Sequence, residues 1–357
     1  MTDTSTIQTD VLVIGAGPVG LFQVFQLGLL DIKAHVVDSL PYPGGQCIEL
    51  YADKPIYDIP GTPRTTGRAL VTSLLEQIKP FGAAFHLGQE VSTLAQQADG
   101  RFLVETSRGL SFLTKTIFVA AGVGSFQPKR LKIDGLDGLE GSQLFHHIGD
   151  PARFAGKTVL VVGGDEAAVE AAIRLAEAGA QQAKSVTLLH RRDVLQAPEE
   201  VLARFEAWRN SGALRFQVGQ VTGITTDAGK LTAAQITGVD GNTAALPVDN
   251  MLVLLGLSPR LGPLSQWGLA MERKQLQVDT EKFSTSIPGI FAVGDINTYP
   301  GKKKLILCGF HECTLAAYAA AELIFPGQRI PFQYTTTSPK LHKLLGVGAH
   351  PLDAEGL

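Results

Sequence analysis

Apolar runs that border on glycine form the main pattern along the chain. Residues 10–14 (DVLVI), 157–162 (KTVLVV) and 289–293 (GIFAV) are continuous and contain many β-branched residues. Such runs are typical of strands that are buried on both faces of a parallel sheet. After the first run, the pattern predicts a helix over about residues 17–30 and a second strand over 34–37. Together these segments form a β-α-β unit.

The β-α-β pattern occurs a second time in the middle of the chain. After the second of these runs, the sequence predicts a helix over about residues 166–178 and a strand over 185–190. Strands at 102–105 and 117–120, and the late strand at 289–293, are expected to return to the first sheet. Two copies of one supersecondary pattern predict two nucleotide-binding domains.

We therefore predict an α/β fold with two Rossmann-like dinucleotide-binding domains of the three-layer ββα type, the second inserted in the first. The expected first domain covers residues 1–126 and 288–330, and the inserted domain covers residues 127–287. A helix over about residues 312–325 completes the first domain. Residues 331–357 follow it as a C-terminal tail.

Composition narrows the function classes. The chain of 357 residues has 31 Lys and Arg against 34 Asp and Glu, so its net charge is −3. A nearly neutral chain lacks the surplus of basic residues with which proteins bind nucleic acid. The first ten residues contain no base, unlike a secretory signal, and the apolar stretch 21–30 is too short to span a membrane. With only three cysteines and no Cys-x-x-Cys pair, the chain is expected to be a cytoplasmic enzyme.

The first glycine motif has the spacing of a dinucleotide-binding turn. Gly15, Gly17 and Gly20 lie between the first predicted strand and helix, and Asp38 ends the next strand. The first glycine allows a sharp turn, the second lets the backbone approach a pyrophosphate, and the third allows close packing of helix on strand. The helix N-terminus attracts the phosphates, and the acid can bind an adenosine ribose with a free 2′-hydroxyl, as in FAD or NAD.

The second glycine motif is incomplete. Gly163 and Gly164 follow the strand of the second unit, but Asp165 stands at the position of the next glycine, where its carboxylate would repel a diphosphate. The following strand leads to Arg191 and Arg192 instead of an acid. Because guanidinium groups bind phosphate in a forked geometry, this pair predicts a 2′-phosphate and therefore NADP(H).

Longer segments carry a family resemblance over nearly the whole chain. They are GAGPVGLF (15–22), VDSLPYPGGQ (37–46), ELYADKPIYDIPG (49–61), AAGVGSFQP (120–128), LLHRRD (188–193) and GIFAVGDINTYPGKKKLI (289–306). In these segments the sequence resembles the bacterial thioredoxin reductase-like ferredoxin–NADP reductases, which are class-II pyridine nucleotide flavoproteins. The length of the tail beyond the last helix also resembles that branch, whose members extend past this helix. Thioredoxin reductases lack such a tail.

The resemblance implies FAD on the first domain, NADPH on the second, and electron transfer to ferredoxin or flavodoxin. It also implies a homodimer in which the tail of one subunit covers the flavin of the other, with Phe332, Tyr334 and His342 as candidates for the covering ring. Tyr51 is the expected ring on the opposite flavin face. Together with the glycine motifs, the resemblance assigns to FAD Gly15, Gly17, Pro18, Gly20, Asp38, Gly45, Gln46, Tyr51, Val91, Phe126, Gly294, Asp295 and Thr336, and to NADP(H) Gly163, Gly164, Arg191 and Arg192.

Departures from the family pattern leave other functions open. Residues 144–150 (LFHHIGD) stand where thioredoxin reductases have a redox Cys-x-x-Cys, so no dithiol can relay electrons to a protein disulfide. Gln196 stands where the family has a basic residue, and His311 where it has glycine. The open alternatives are an NADPH oxidase or diaphorase that reduces small acceptors, and a flavin-binding redox sensor without NADPH turnover.

Charged residues near the end of the chain indicate a docking surface. The three lysines at 302–304 follow the Gly-Asp segment and are expected to attract an acidic iron–sulfur protein, together with Lys340 and Lys343. The helix expected to begin near Glu312 would point its positive end at the flavin. Because hydride transfer to a flavin needs no acid or base, we predict no catalytic residue. We also predict no metal site.

Overall fold

The chain folds into two compact units. The computed structural model describes residues 6–177, 182–332 and 334–347. The first unit contains residues before 126 and after 258, and the second unit contains residues 126–258. The second unit is therefore inserted in the first, as the two copies of the β-α-β pattern predict.

The first unit begins with a β-α-β unit and continues with short strands. In chain order its elements are β1 (Ile7–Ile14), α1 (Pro18–Leu29), β2 (Ala34–Asp38), α2 (Gln46–Glu49), β3 (Pro55–Ile56), β4 (Thr65–Thr66), α3 (Gly67–Ile78), β5 (Ala84–Leu87), β6 (Val91–Gln96), β7 (Phe102–Thr106) and β8 (Ser111–Val119). Strand β9 (Ser125–Pro128) leads into the second unit.

The second unit repeats the β-α-β order and adds an antiparallel sheet. Its elements are β10 (Leu144–Phe145), β11 (Thr158–Val162), α4 (Glu166–Glu177), β12 (Ser185–His190), α5 (Glu199–Asn210), β13 (Leu214–Val218), β14 (Gln220–Asp227), β15 (Lys230–Thr237), β16 (Thr243–Pro247) and β17 (Asn250–Val253). Strand β18 (Leu257–Arg260) leads back to the first unit, which ends with β19 (Met271–Glu272), β20 (Gln275–Gln277), β21 (Ile290–Ala292), β22 (Asn297–Thr298), α6 (Ile306–Ile324) and α7 (Pro339–Leu345).

The main sheet of the first unit has the strand order β5-β2-β1-β8-β7-β6, and β21 pairs with the end of β8. The central strands are parallel, whereas β6 and β7 form an antiparallel ribbon at one edge. Along β1, Val11 and Val13 join the core that packs on the helices, while Leu12 and Ile14 join the core of the opposite face. This burial on both faces explains why residues 11–14 are all apolar.

The parallel sheet of the second unit has the order β10-β17-β11-β12-β13. Val159 and Val161 of β11 pack in the core formed with helices α4 and α5. Leu160 and Val162 face the other way, into the core formed with the antiparallel sheet β14-β15-β16. The unit therefore has three layers, with helices on one face of the parallel sheet and strands on the other, as expected for a ββα arrangement.

The border between the units differs from the predicted one on its C-terminal side. Leu264 and Leu276 are buried together with Leu12 and Ile14 in a core of the first unit. Residues 259–287, which the sequence analysis placed in the inserted domain, therefore pack with the first unit. The segment contains only short strands, so its apolar pattern carried no sign of which sheet it joins.

Helix α6 begins at Ile306, well before the predicted start near Glu312. No side chain caps its N-terminus, where the N-cap residue is Leu305, so the usual polar start signal is missing from the sequence. Glu312 lies inside the helix and is buried. The expectation that the helix dipole begins at Glu312 is therefore wrong, and the positive end of α6 lies near Leu305.

The tail contains a short helix that the sequence analysis did not predict. The side chain of Ser338 accepts a hydrogen bond from Leu341 N at the start of α7, and Gly346 ends the helix in the left-handed conformation. Both are ordinary helix boundary signals. The seven residues between them are too few to show a helical period in the sequence. Among the residues described, no helix has the length and apolar composition that crossing a membrane requires.

Two histidines face each other on neighbouring strands of the first unit. Nδ1 of His35 on β2 lies 2.9 Å from Nε2 of His86 on β5, and the rings are stacked. Burial lowers the pKa of both rings below the ordinary value of 6.5, and the charge of His86 lowers the pKa of His35 further. Because the unfolded chain then binds more protons than the folded chain, the contribution to stability is complete above about pH 6.5 and is lost as the pH falls.

We expect the variant His35→Gln to lose less stability than the wild type between about pH 7.5 and about pH 5.5, because one of the two titrating rings is absent. The measurement is the urea midpoint of unfolding at both pH values. Apart from His86, which loses its contact with His35, the titrating groups are the same in the two proteins, so the difference between them reports the His35–His86 pair. Equal losses of stability in both proteins would contradict the prediction.

Candidate functional site

The three glycines after β1 have different surroundings. Gly15 has a positive φ of 111°, and a Cβ atom there would lie 2.4 Å from the carbonyl oxygen of Ala120. A Cβ atom on Gly20 would lie 1.9 Å from the carbonyl oxygen of Gly15. A Cβ atom on Gly17 would meet no atom closer than the Cα atom of Gly45, at 4.0 Å. Two of the glycines therefore allow packing, and the middle one leaves backbone open to a ligand.

The N-terminus of α1 lies at the open backbone of Gly17. Gly17 is its N-cap residue, Pro18 is in the first helical turn, and no side chain caps the helix. The first turn also contains no acidic residue. Free backbone N–H groups and the positive end of the helix dipole make such a terminus suitable for a phosphate group.

Asp38 is fixed against the glycine turn by backbone groups. Its carboxylate accepts hydrogen bonds from Ala16 N at 2.6 Å and from Leu40 N at 2.8 Å. Burial raises its pKa, although these two hydrogen bonds act in the opposite direction. Gln89 N donates to the carbonyl oxygen of Asp38 at 3.0 Å, and the nearby Val91 is buried in the same core as Ile14 of β1 and Val37 of β2. The segment that leads to Val91 thus contacts the end of β2 at Asp38.

A second loop closes on the glycine turn. Gly44 N donates to the carbonyl oxygen of Ala16 at 2.8 Å, and a Cβ atom on Gly45 would lie 3.1 Å from the Cα atom of Gly17. From the next residue, Gln46 Nε2 donates to Asp295 Oδ2 at 3.3 Å. The structure therefore brings together three segments that are far apart in the sequence: the glycine turn, the loop with Gly45 and Gln46, and the turn with Asp295. Each of the three contains residues predicted to bind FAD.

Asp295 lies in a tight turn after β21. Gly294 has a positive φ of 80°, and a Cβ atom there would lie 3.2 Å from the side chain of Val19 on α1. Gln275 Nε2 donates to the carbonyl oxygens of Asp295 at 3.2 Å and of Asn297 at 2.6 Å. The side chain of Gln275, which the sequence analysis did not single out, thus holds this turn.

Tyr51 and Cys47 lie beside these segments. Tyr51 is half-buried against the core, and Cys47 Sγ donates to its hydroxyl oxygen at 3.5 Å. Burial raises the pKa of both the Tyr51 hydroxyl and the Cys47 thiol. At neutral pH the thiol is therefore protonated, and Cys47 is not an activated nucleophile.

Residues of the tail lie apart from this group. The ring of Tyr334 packs edge-on against Phe332, which stacks on Tyr318 in the C-terminal half of α6. His342 Nε2 lies 3.2 Å from the carbonyl oxygen of Thr335, and Thr336 is exposed in the adjoining turn. At about 1.5 Å per residue, Tyr318 is roughly 20 Å along the helix from Leu305. The backbone of Phe126 belongs to β9, but its side chain lies outside the part of the chain that the structure describes.

The second glycine motif is tightly packed by its own neighbours. A Cβ atom on Gly163 would lie 2.3 Å from the carbonyl oxygen of Leu254, and one on Gly164 would lie 2.3 Å from Nδ1 of His190. The carboxylate of Asp165 accepts a hydrogen bond from Ala168 N at 3.1 Å, as an N-cap does at the start of α4. The departure from glycine therefore has a structural reason, since Asp165 stabilises the helix start.

Arg191 and Arg192 are exposed at the end of β12, next to this motif. Arg191 lines a pocket of about 210 Å³ with Thr222 and Thr237 of the antiparallel sheet and with Val239 of the turn after β15. Burial lowers the pKa of the neighbouring His190, and the two arginine charges lower it further. The carboxylate of Asp165 acts on His190 in the opposite direction, and the exposed guanidinium groups of Arg191 and Arg192 are the groups at this end of the sheet that can bind an anionic ligand.

The lysines of the expected docking surface are not equivalent. Lys303 and Lys304 are exposed, but the side chain of Lys302 is only 6% exposed and pairs with the buried carboxylate of Glu312. The expectation that Lys302 belongs to a docking surface is therefore wrong. Sequence analysis also missed Glu312 as a functional candidate, although an acid on an otherwise apolar helix face is a signal of a buried partner. In the described part of the chain, no three His, Cys, Asp or Glu side chains come together as metal ligands.

Comparisons with known proteins agree with this arrangement. The family model described as "Pyridine nucleotide-disulphide oxidoreductase" matches residues 9–321. A ferredoxin–NADP reductase from Polaromonas sp. is 61% identical over 97% of this chain and 95% of its own, and one from Albidiferax ferrireducens is 59% identical over 97% and 98%. The crystal structure of Lactococcus lactis thioredoxin reductase is 25% identical, covers 88% of this chain and 99% of its own, and has a TM-score of 0.57. The chain belongs to the pyridine nucleotide-disulphide oxidoreductase family.

Proposed function

We propose that this chain is a ferredoxin–NADP reductase that uses FAD to pass electrons between NADPH and ferredoxin. The observation that carries the proposal is its identity of about 60% to curated ferredoxin–NADP reductases over nearly its whole length. When bound, FAD exchanges a hydride with NADPH and single electrons with a one-electron carrier. The three cysteines form no Cys-x-x-Cys pair, so the chain has no dithiol relay of the thioredoxin reductase kind.

In this proposal, all the FAD residues except Phe126 belong to the first unit, and Phe126 is the first residue of the second unit. The open backbone at Gly17 and the N-terminus of α1 bind the pyrophosphate, and Asp38 binds the adenosine ribose. The carboxylate of Asp295 accepts a hydrogen bond from Gln46. In this proposal it orients the part of the cofactor that lies next to the flavin ring. The complete set of proposed FAD residues is Gly15, Gly17, Pro18, Gly20, Asp38, Gly45, Gln46, Tyr51, Val91, Phe126, Gly294, Asp295 and Thr336.

NADPH binds to the second unit, at Gly163, Gly164, Arg191 and Arg192. The exposed guanidinium groups are placed to bind the 2′-phosphate, and the pocket beside Arg191 lies next to them. The carboxylate of Asp165 accepts a hydrogen bond from Ala168 N, so its negative charge lies against the N-terminus of α4. This cap reduces the conflict with a diphosphate that the sequence alone indicates.

The functional test is anaerobic mixing of the purified protein with NADPH, followed by ferredoxin or flavodoxin. We expect a yellow protein whose flavin absorbance is bleached by NADPH, and cytochrome c reduction that depends on the added carrier. Faster turnover with oxygen, quinone or ferric chelates than with ferredoxin would select the oxidase or diaphorase alternative. Absence of bleaching by NADPH would select the redox sensor.

A positive surface for the acidic carrier remains at Lys303 and Lys304. Both side chains are exposed at the start of α6, beside the exposed Leu305 and Leu307. We expect the double variant Lys303→Gln/Lys304→Gln to raise KM for ferredoxin about 3- to 10-fold, with a weaker dependence on salt, because steering acts through exposed charges. Steady-state rates at several salt concentrations measure this effect. A larger KM for NADPH instead would contradict the assignment.

We further propose a cytoplasmic homodimer in which the tail of one subunit covers the flavin of the other. Large apolar side chains are exposed on the last part of α6 and on the tail, namely Leu323, Phe332, Tyr334, Leu344, Leu345 and Val347. These side chains form the surface that a second copy would bury. The ladder of Tyr318, Phe332 and Tyr334 lies far along α6 from Leu305, which supports donation of the tail to the other subunit. Light scattering of the purified protein tests the subunit count.

A further inference from the structure

Glu312 is a fully buried acid with four hydrogen-bond donors around it. Its Oε2 atom accepts from Gly294 N at 2.7 Å and from Asn297 Nδ2 at 2.9 Å. Its Oε1 atom accepts from the hydroxyl of Tyr299 at 2.9 Å and from Lys302 Nζ. The residue itself is 0% exposed, and the Lys302 side chain is 6% exposed. Burial on this scale is unusual for an acid unless its charge is compensated.

The ion pair holds both polar groups of one glycine. Glu312 accepts from the backbone N–H of Gly294, and Lys302 Nζ donates to the carbonyl oxygen of the same residue at 2.8 Å. Gly294 has a left-handed φ and lies against Val19, in the first turn of α1. The next residue is Asp295, whose carboxylate is linked to Gln46. The pair therefore fixes the backbone from which a proposed FAD ligand projects.

We propose that Glu312 and Lys302 are positioning residues that fix the Gly294–Asp295 turn for FAD. The inference rests on the proposed FAD site and adds to it two residues that do not contact the cofactor. An amide cannot replace the carboxylate, because one of its two polar atoms is a donor and would face the donors of Tyr299 and Lys302 or of Gly294 and Asn297. A neutral residue at either position would also leave the remaining charge buried without a partner.

The test compares four proteins with the wild type as purified holoenzymes. The variants are Glu312→Gln, Lys302→Met and the double variant that carries both changes. The matched control is Lys282→Met/Glu322→Gln, which removes an exposed ion pair of 3.2 Å between Lys282 and Glu322, an acid on the same helix as Glu312. The readouts are the dissociation constant of FAD, measured by flavin fluorescence on release and rebinding, and the midpoint potential of the bound flavin.

Each single variant is expected to bind FAD about 10- to 100-fold more weakly, as happens when groups that orient ligand-binding residues are removed. The double variant should bind more tightly than either single variant but about 5-fold more weakly than the wild type, since the donor to Gly294 O is still missing. The flavin potential should rise in Glu312→Gln, which retains a positive charge, and fall in Lys302→Met, which retains a negative one. The control should resemble the wild type in both readouts.

Three outcomes would overturn the inference. They are FAD binding within twofold of the wild type in both single variants, potentials that shift in the same direction in both, and a double variant that binds FAD as tightly as the wild type. If a single variant does not fold, the affinity of the double variant decides. A wild-type protein that takes up no FAD would instead contradict the proposed function, so the two failures are distinguishable.

Discussion

Replacing Gly17 with alanine is expected to give a folded protein that binds FAD about 10- to 100-fold more weakly, because one added methyl group in a close contact costs about 1–3 kcal/mol. Gly17 has φ −70° and ψ 176°, a conformation open to any residue. Its missing Cβ atom would meet no protein atom closer than 4.0 Å. The protein alone therefore tolerates the methyl group, and only a phosphate that approaches the backbone would be affected. The measurements are far-UV circular dichroism and titration with FAD.

Gly20→Ala provides the matched comparison. Its Cβ atom would lie 1.9 Å from the carbonyl oxygen of Gly15, and both groups belong to backbone that the sheet and α1 hold in place. We expect this variant to lose at least about 3 kcal/mol of folding free energy, whether or not FAD is added. If Gly17→Ala also lowered stability without FAD, or left the FAD affinity unchanged, the open backbone at Gly17 would not be the phosphate site.

The sequence predicted the sheet strands well because those strands are buried on both faces. The run at 157–162 appears as β11, and the segment 185–190 appears as β12 with the predicted bounds. The helix over 166–178 appears as Glu166–Glu177. In each case the residues are almost continuously apolar or have a clear helical period, so the local pattern and the final packing agree.

Prediction was less successful where tertiary contacts decide the structure. The start of α6 has no polar cap, and Gly309 there approaches Val19 so closely that a Cβ atom would lie 2.5 Å from its side chain. Residues 259–287 joined the first unit through scattered leucines rather than through a long strand. The pairing of Lys302 with Glu312 depends on a loop folding back onto a helix. The start of α6 and the packing of residues 259–287 have no local sequence signal that distinguishes them from their alternatives. The acid on the apolar face of α6 signals a buried partner for Glu312 but does not identify Lys302 as that partner.

The proposed site shows the same division. Asp38 was predicted from its place at the end of a strand, and the structure puts its carboxylate within hydrogen-bond distance of Ala16 N in the glycine turn. By contrast, the cap that Asp165 provides was not predicted, because a motif pattern shows a missing glycine but not the helix N–H that the acid caps. Residues that act through the backbone of others, such as Gln275, leave no motif at all.

Replacing Arg191 with alanine is expected to raise KM for NADPH about 10- to 100-fold and to leave KM for NADH within about twofold, because a hydrogen bond to a charged group contributes about 1.5–3 kcal/mol. Arg191 is exposed and lines the pocket at the end of β12, so its removal leaves no buried partner. The expected loss therefore reflects the 2′-phosphate, which NADPH carries and NADH lacks. Steady-state reduction of ferricyanide with each nucleotide measures both values.

Arg174→Ala is the control for this prediction, since Arg174 is an exposed arginine on α4 of the same unit. It changes the net charge equally, so a general effect of charge on NADPH would appear in both variants, whereas a specific phosphate contact would appear only in Arg191→Ala. Equal losses with NADPH and NADH in Arg191→Ala would show that the guanidinium group supports the fold of the site rather than the phosphate. If KM for NADPH and for NADH were both unchanged in Arg191→Ala, Arg191 would not bind the 2′-phosphate. The phosphate would then be assigned to the neighbouring Arg192, whose side chain is also exposed.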